Sequence, residues 1–489
     1  MSTQTIIFLG VAIYMALMIF IGAIASRQTD TADEFIVSGR RMPMWLCTAT
    51  LIATWFGAGP MMGSAGASYE NGLLGVIADP FGGAVVMFLV GFFFVRLFRR
   101  MGLLTFVQMF ETRFGRKAAT VAAIASMASN IGWTAAMLVA FGLVFETLTG
   151  IPLVIGITGG AIVVIIYTTA GGMWAVAVTD FVQMLIIFIG LIVLLTVVLI
   201  DVGGWDAVAS RLPEHTFRMI PLESTPETWL NYFRAWFIFG LADVTAQPLI
   251  QRAMSARSEQ VAQNAFYLSG IGYLSMGMIP VILGIIGSVT LPGLEDPEKI
   301  IPTLAINHLH PVAIALFVGA LLSAIMSTTD SALLAVASVF STNIVPLFKP
   351  DVSDRQRLLV TRYSIPVFGV CAVLVALYAQ VVFHLIMDAN SVMLVCVTAP
   401  FIAGVWWKRT NRTGVLSGMT AGFATWIATA YFAPNLPGDL LGLLACFVVM
   451  LVVTPLTQRI DPPKSPRNSE GEIVELKNRL GVLPLFRKV

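Results

Sequence analysis

Residues 52–63 read IATWFGAGPMMG. They lie in the second long apolar run of the chain, with Gly57, Gly59 and Pro60 close together. Glycine loosens a helix and proline removes a backbone donor. The stretch therefore predicts a membrane helix broken at the depth where hydrocarbon tolerates a break least.

The surrounding composition supports a membrane reading. Of 489 residues, 57% are hydrophobic and 11% are charged, with a mean hydropathy of +0.86. A soluble chain carries about a quarter charged residues. Here the charges cluster between apolar runs of about twenty residues, each long enough to cross a ~30 Å hydrocarbon core as helix. The expected class is an all-α integral membrane protein. The N-terminal MSTQTIIFLG has no basic segment or cleavage site and reads as a first span, not a signal peptide. Cys47, Cys371, Cys396 and Cys446 lie in apolar runs without motif spacing, as small core residues do. Four scattered histidines make no metal cluster, and a net charge of +2 points to no nucleic-acid partner. The tail shows no soluble output domain, only a possible amphipathic helix near Glu472–Leu480. No GxxxxGK[ST] motif is present, which argues against an ATP-driven pump.

Hydropathy with glycine and proline punctuation predicts thirteen spans. They fall at about 5–25, 44–68, 73–98, 118–148, 153–170, 176–200, 229–251, 263–290, 309–345, 361–382, 384–407, 415–434 and 438–457. With the N-terminus outside and the C-terminus inside, all but four of the 29 basic residues face inward. The exceptions are Arg211, Arg218, Lys299 and Arg234. That bias is the positive-inside rule.

A second break is predicted in the seventh span, WLNYFRAWFIFGLADVTAQPLIQR, which carries Gly240, Asp243, Thr245, Gln247 and Pro248 in its inner half. If each repeat begins with its broken helix, five spans separate the two, and an odd repeat length inverts the second copy. The chain then divides into an N-terminal helix and loop (1–43), a first five-helix repeat (44–200) and a loop (201–228). An inverted second repeat (229–407), two further helices (408–457) and a tail (458–489) complete it.

The stretches AGGMWAVAVTDFVQMLIIFIGLIVLL (170–195) and LLSAIMSTTDSALLAVASVFSTNIV (321–345) resemble signatures of the sodium:solute symporter family. ATWFGAGPMMGSAGA, SNIGWTAAMLVAFG (129–142) and PLIQRAMSARS (248–258) look similar to its high-affinity choline transporter branch. The resemblance implies a LeuT-like fold, a plasma or inner membrane location, and Na⁺ as the coupling ion. Ala324, Ser327 and Thr328 are spaced i, i+3, i+4 and share a helical face, so a carbonyl and two hydroxyls converge. The family pattern adds the carbonyls of Ala53 and Phe56 to the ion. The ordinary alternative is that such hydroxyls bond back to their own helix. Asp180 matches the family's acid on the ion's inward exit path; equally, it fits a solvated carboxylate at a helix N-terminus.

Intramembrane acids mark function because burying them is costly. Asp79, Asp243 and Asp330 stand out, with Asp330 expected to order the sodium helix. In the choline branch an aromatic cage holds the quaternary ammonium. Trp55 and Trp133 match two of its members, whereas Ala246 and Gly83 fall where a tryptophan and a tyrosine belong. Asp79, Asp243 and Gln247 complete the expected solute site. The reading is a Na⁺-coupled symporter for a small cationic or zwitterionic solute, choline-like or an amine, with no obligate protein partner. The alternatives are a symporter of a neutral or anionic solute such as an amino acid or organic acid, an uncoupled facilitator, and a transporter-fold sensor. GLAD at 240–243 faintly resembles the Gly-x-Gly-Asp of intramembrane aspartyl proteases, but the second glycine is missing; the chain reads as no enzyme.

Overall fold

The computed structural model describes residues 3–25, 29–379 and 382–474. Among them every regular element is helical, with only two isolated β-bridges beside. α1 (Thr3–Ala25) leads through α2 (Ala32–Val37) into the first broken helix, α3 (Met44–Trp55) and α4 (Ser64–Asn71). The break is at Phe56 (φ −83°, ψ 60°), and a π-turn over Gly59–Gly63 resumes the helix. A further interruption at Asp79 (φ −150°, ψ 124°) precedes α5 (Gly83–Phe93) and α6 (Val95–Met101). α7 (Val107–Phe114), α8 (Arg116–Thr149), α9 (Leu153–Asp201) and α10 (Trp205–Ala209) follow. The second broken helix is α11 (Pro226–Gly240), a 3₁₀ turn over Ala242–Thr245, and α12 (Gln247–Ser255). Then come α13 (Glu259–Thr290), α14 (Ile300–His308), α15 (Pro311–Val339), α16 (Val345–Phe348) and α17 (Asp354–Ala379). α18 (Val382–Met393), α19 (Ala399–Trp406), α20 (Arg412–Phe432) and α21 (Gly438–Thr457) end the described fold.

Local chemistry sets these boundaries. Thr31 and Glu34 form a capping box on α2. Thr225, Ser258 and Asn411 cap α11, α13 and α20 through their side chains. Gly150 (φ 72°) ends α8 in the left-handed region.

Among the described residues, eight helical stretches are long and apolar enough to cross a membrane. α15 lies at the centre, buried at every residue from Phe317 to Val339 and packed on α8, α9, α1 and α3. A helix enclosed on all sides belongs in a core. Toward the rim, Phe20, Ile124, Ile200, Leu316, Leu374 and Leu456 are each more than half exposed. An apolar girdle of that kind suits hydrocarbon and not water. On one face, arginines join the loops: Arg40 donates to the Gly102 carbonyl (2.6 Å), Arg99 to Ala256 (2.6 Å), and Arg113 to Trp407 (2.8 Å). Elsewhere Tyr69 donates to the Leu291 carbonyl (2.7 Å) and Arg234 pairs with Asp439 (2.7 Å).

Two boundaries differ from the sequence reading. The spans expected at 153–170 and 176–200 run on through α9 with a single irregular residue, Gly172 (φ 53°, ψ −147°). A side chain there would strike the Phe35 ring and carbonyl, so glycine closes the connection to one residue. The 309–345 stretch is one straight helix only to Val339, then a π-turn over Phe340–Ile344. The tail helix expected near Glu472–Leu480 lies almost wholly outside the described residues.

Candidate functional site

The break after α3 changes which backbone groups are free. Phe56 N–H closes the last turn on the Ile52 carbonyl (2.9 Å), but Gly57 N–H turns to the Trp55 carbonyl (2.9 Å). The Ala53 carbonyl thereby loses its i+4 donor and accepts instead from Ser327 Oγ on α15 (2.8 Å). Thr328 Oγ1 donates to the Thr54 carbonyl (2.9 Å). Both hydroxyls also reach the Ala324 carbonyl, at 3.0 and 3.3 Å. Ala53, Thr54, Ala324, Ser327 and Thr328 thus bring five oxygens together from two helices. Where the sequence pointed to Phe56, the carbonyl meeting Thr328 is that of Thr54. Phe56 is buried nearby with its ring edge-on to Tyr273 (centroids 6.0 Å, 79°). The hydroxyls bond back within α15 and across to α3 together, so neither sequence alternative excludes the other. Rotating two hydroxyl protons away would turn the set into a hard-cation site.

Toward the basic face this cluster runs into an ion pair. Arg252 on α12 and Asp180 on α9 are both fully buried, 3.4 Å apart. The reading of Asp180 as a solvated carboxylate at a helix start is overturned: it lies inside α9, where the hydroxyl of Thr50 also bonds it. Arg252 further donates to Thr50 Oγ1 (3.2 Å), the Pro248 carbonyl (3.1 Å) and Ser331 Oγ (2.5 Å). Ser331 in turn donates to the Ser327 carbonyl (2.7 Å), linking the pair to the five-oxygen cluster. Asp330 accepts from Tyr167 (2.7 Å) and Ser331 (3.1 Å), tying α15 to α9.

On the other side, a cavity of about 50 Å³ opens between the two breaks, lined by Thr54, Trp55, Asn130, Trp133, Asp243 and Thr328 among others. Thr54 and Thr328 belong to both cavity and cluster. Trp133 Nε1 donates to Asn390 Oδ1 (2.8 Å), which holds that ring in place, and Trp55 and Asp243 share the cavity wall. Asp79 lines a second, larger space of about 400 Å³, with Glu70 and Glu298 at its wall. Tyr273 donates to Asp79 Oδ1 (2.5 Å), and its ring fills the place a side chain on Gly83 would take. Gln247 borders the smaller cavity, but its amide is engaged elsewhere: it accepts from Phe106 N–H (3.0 Å) and donates to the Leu104 carbonyl (3.2 Å).

Sequence reasoning missed Arg252, Tyr273, Asn390 and Thr54. Arg252 carried a signal, since it stands among Leu249, Ile250, Ala253 and Met254 and was counted only as a marker of the basic face. An arginine in an apolar segment calls for an acid. The other three are ordinary residues whose partners lie far along the chain.

The sodium:solute symporter family model matches residues 35–422. High-affinity choline transporter 1 of Torpedo marmorata is 28% identical over 437 residues, covering 85% of this chain and 75% of that one. A sodium/glucose cotransporter of Vibrio parahaemolyticus is 27% identical over 499 residues, covering 93% and 91%. The substrate-bound outward-open structure of a Na⁺-coupled sialic acid symporter aligns with a TM-score of 0.81 at 21% identity, covering 92% of this chain and 98% of that one. Its fold is similar along nearly the whole chain.

Proposed function

This chain belongs to the sodium:solute symporter family, and we propose that it imports a small cationic or zwitterionic organic solute together with Na⁺. The observation that carries the reading is the wall shared by the two sites. Thr54 and Thr328 contribute oxygens to the cluster between α3 and α15 and also line the cavity between the breaks. Sodium is here a co-substrate, not a resident cofactor. An ion held by oxygens of both α3 and α15 draws those helices together and fixes the wall on which the solute rests. By linkage, the solute strengthens sodium binding by the same factor.

Driving force is ample. One charge crossing ~100 mV gains ~2.3 kcal/mol, equivalent to about fifty-fold accumulation before any sodium gradient is counted. The proposed architecture is thirteen spans in a LeuT-like arrangement, N-terminus outside, C-terminus inside, in the plasma or inner membrane. The repeats over 44–200 and 229–407 would rock about the two facing breaks to expose the site to each side in turn. Sodium leaving inward would pass Asp180 and Arg252.

The relatives named above are named for choline and for glucose, so family membership leaves the solute class open. The acids Asp79 and Asp243 favour a cation over a neutral or anionic solute. Uptake into proteoliposomes with Na⁺ or K⁺ outside tests the coupling. Accumulation that requires Na⁺ is expected; uptake that survives replacement by K⁺ would make the protein a facilitator.

A further inference from the structure

We infer that the solute is a primary or secondary ammonium, held through its N–H groups by Asp243 in the cavity between the breaks and drawn there past Asp79 in the larger space, and not a quaternary ammonium. This rests on the symporter reading and names the substrate class of the same site.

The first argument is charge. Two buried carboxylates have arginine partners supplied by the chain, Asp180 with Arg252 and Asp439 with Arg234, and a third, Asp330, is bonded by Tyr167 and Ser331. Asp243 is 5% exposed and Asp79 half-buried, yet among the described residues neither forms an ion pair with Lys, Arg or His. Neither cavity has a basic residue in its lining. A carboxyl group held away from water keeps its proton unless a cation compensates the charge, and here a cationic solute is placed to do so.

The second is donor geometry. Tyr273 occupies one acceptor position on Asp79 Oδ1, Asp79 Oδ2 is turned toward Gly59 at the break, and Asp243 lines the cavity beside Trp55. An ionised carboxylate offers about four lone-pair sites, so each retains acceptor capacity. An ammonium bearing N–H groups can use it, whereas a fully methylated one presents only carbon. A site built to bond N–H discriminates strongly against the analogue lacking it.

The third is the aromatic wall. Trp55 and Trp133 give a cation two ring faces, but Gly83 and Ala246 supply no further ring. Tyr273, the ring standing against Gly83, is 1% exposed and spends its hydroxyl on Asp79. The enclosure is therefore half aromatic and half carboxylate. Finally, the larger space on the approach carries Glu70, Glu298 and Asp79 in its wall, a field that concentrates cations.

The test uses the full-length protein in proteoliposomes and two methylation series, ethanolamine to choline and phenethylamine to its trimethylammonium, with glucose, proline and pantothenate as neutral and anionic controls. Na⁺-driven uptake and Na⁺-dependent thermal stabilisation are both read. A primary or secondary amine should be preferred at least tenfold over its quaternary homologue. Asp243→Asn and Asp79→Asn should each weaken that amine at least tenfold, Asp243→Glu should recover part of the loss, and stabilisation by Na⁺ alone should persist in all three as proof of folding. Equal or better handling of the quaternary compound overturns the inference, as does unchanged amine uptake in both Asn variants. Na⁺-driven uptake of a control solute that no amine inhibits overturns it too, leaving symport intact. If no solute responds to Na⁺, the symporter reading fails and this inference with it.

Discussion

Thr328 serves two sites with one hydroxyl, reaching Thr54 and Ala324 carbonyls at 2.9 and 3.3 Å while its side chain lines the cavity. Thr328→Ala deletes one of five converging oxygens. A hydrogen bond or ligand to a charged group is worth about 1.5–3 kcal/mol, so sodium affinity should fall about tenfold or more. A sodium titration of thermal stability reads this directly, and Thr328→Ser should restore most of it. Arg252 yields a different prediction. Arg252→Met leaves Asp180 buried without its partner, a change that costs about 3–5 kcal/mol. The melting temperature without sodium should drop sharply, and Arg252→Met with Asp180→Leu should recover much of the loss. If the double variant is as unstable as the single one, the pair is not the source of the destabilisation. The sequence made Asp180 visible through its place in the stretch that resembles the family signature. Its partner lies 72 positions away on another helix, and only folding states which of the basic residues turns inward.

Broken helices are written in the backbone chemistry of glycine and proline, and both breaks were readable for that reason. What a break faces is less so. Tyr273 and Asp79 are 194 residues apart and Trp133 and Asn390 are 257 apart, so these bonds leave no local pattern. The substitution of a missing ring at Gly83 by one from α13 is likewise a packing result. Gly57 is where the break meets α15 most tightly: a Cβ would lie 2.5 Å from Thr328 Oγ1 and 3.0 Å from Met137 Sδ. Gly57→Ala should force α3 and α15 apart, lowering sodium affinity at least tenfold while the solute-facing acids stay unchanged. Gly63 has open space where its Cβ would go, so Gly63→Ala is the matched control and should bind sodium as the parent does. Equal behaviour of the two variants would mean that the contact with α15 does not shape the ion site.

For the whole molecule, the proposed span count and orientation make a prediction independent of any solute. Ser210 is exposed in the loop before α11, and Ser353 is exposed before α17. Between them the chain passes through the broken pair α11 and α12, then α13, then α15. If each crosses once, an odd number of crossings puts the two serines on opposite sides. Charge says which side is which: Lys349, Arg355 and Arg357 flank Ser353, and cytoplasmic loops collect such residues. With the four native cysteines replaced by alanine, Ser353→Cys should react with a membrane-impermeant thiol reagent only after cells are permeabilised. Ser210→Cys should react in intact cells. The opposite pattern would invert the molecule, and labelling of both in intact cells would remove one crossing. Losing a crossing would also undo the five-span spacing that makes the second repeat an inverted copy. Facing breaks would then have to arise without repeat symmetry, and the rocking proposed for transport would lose its basis while the ion and solute sites kept theirs.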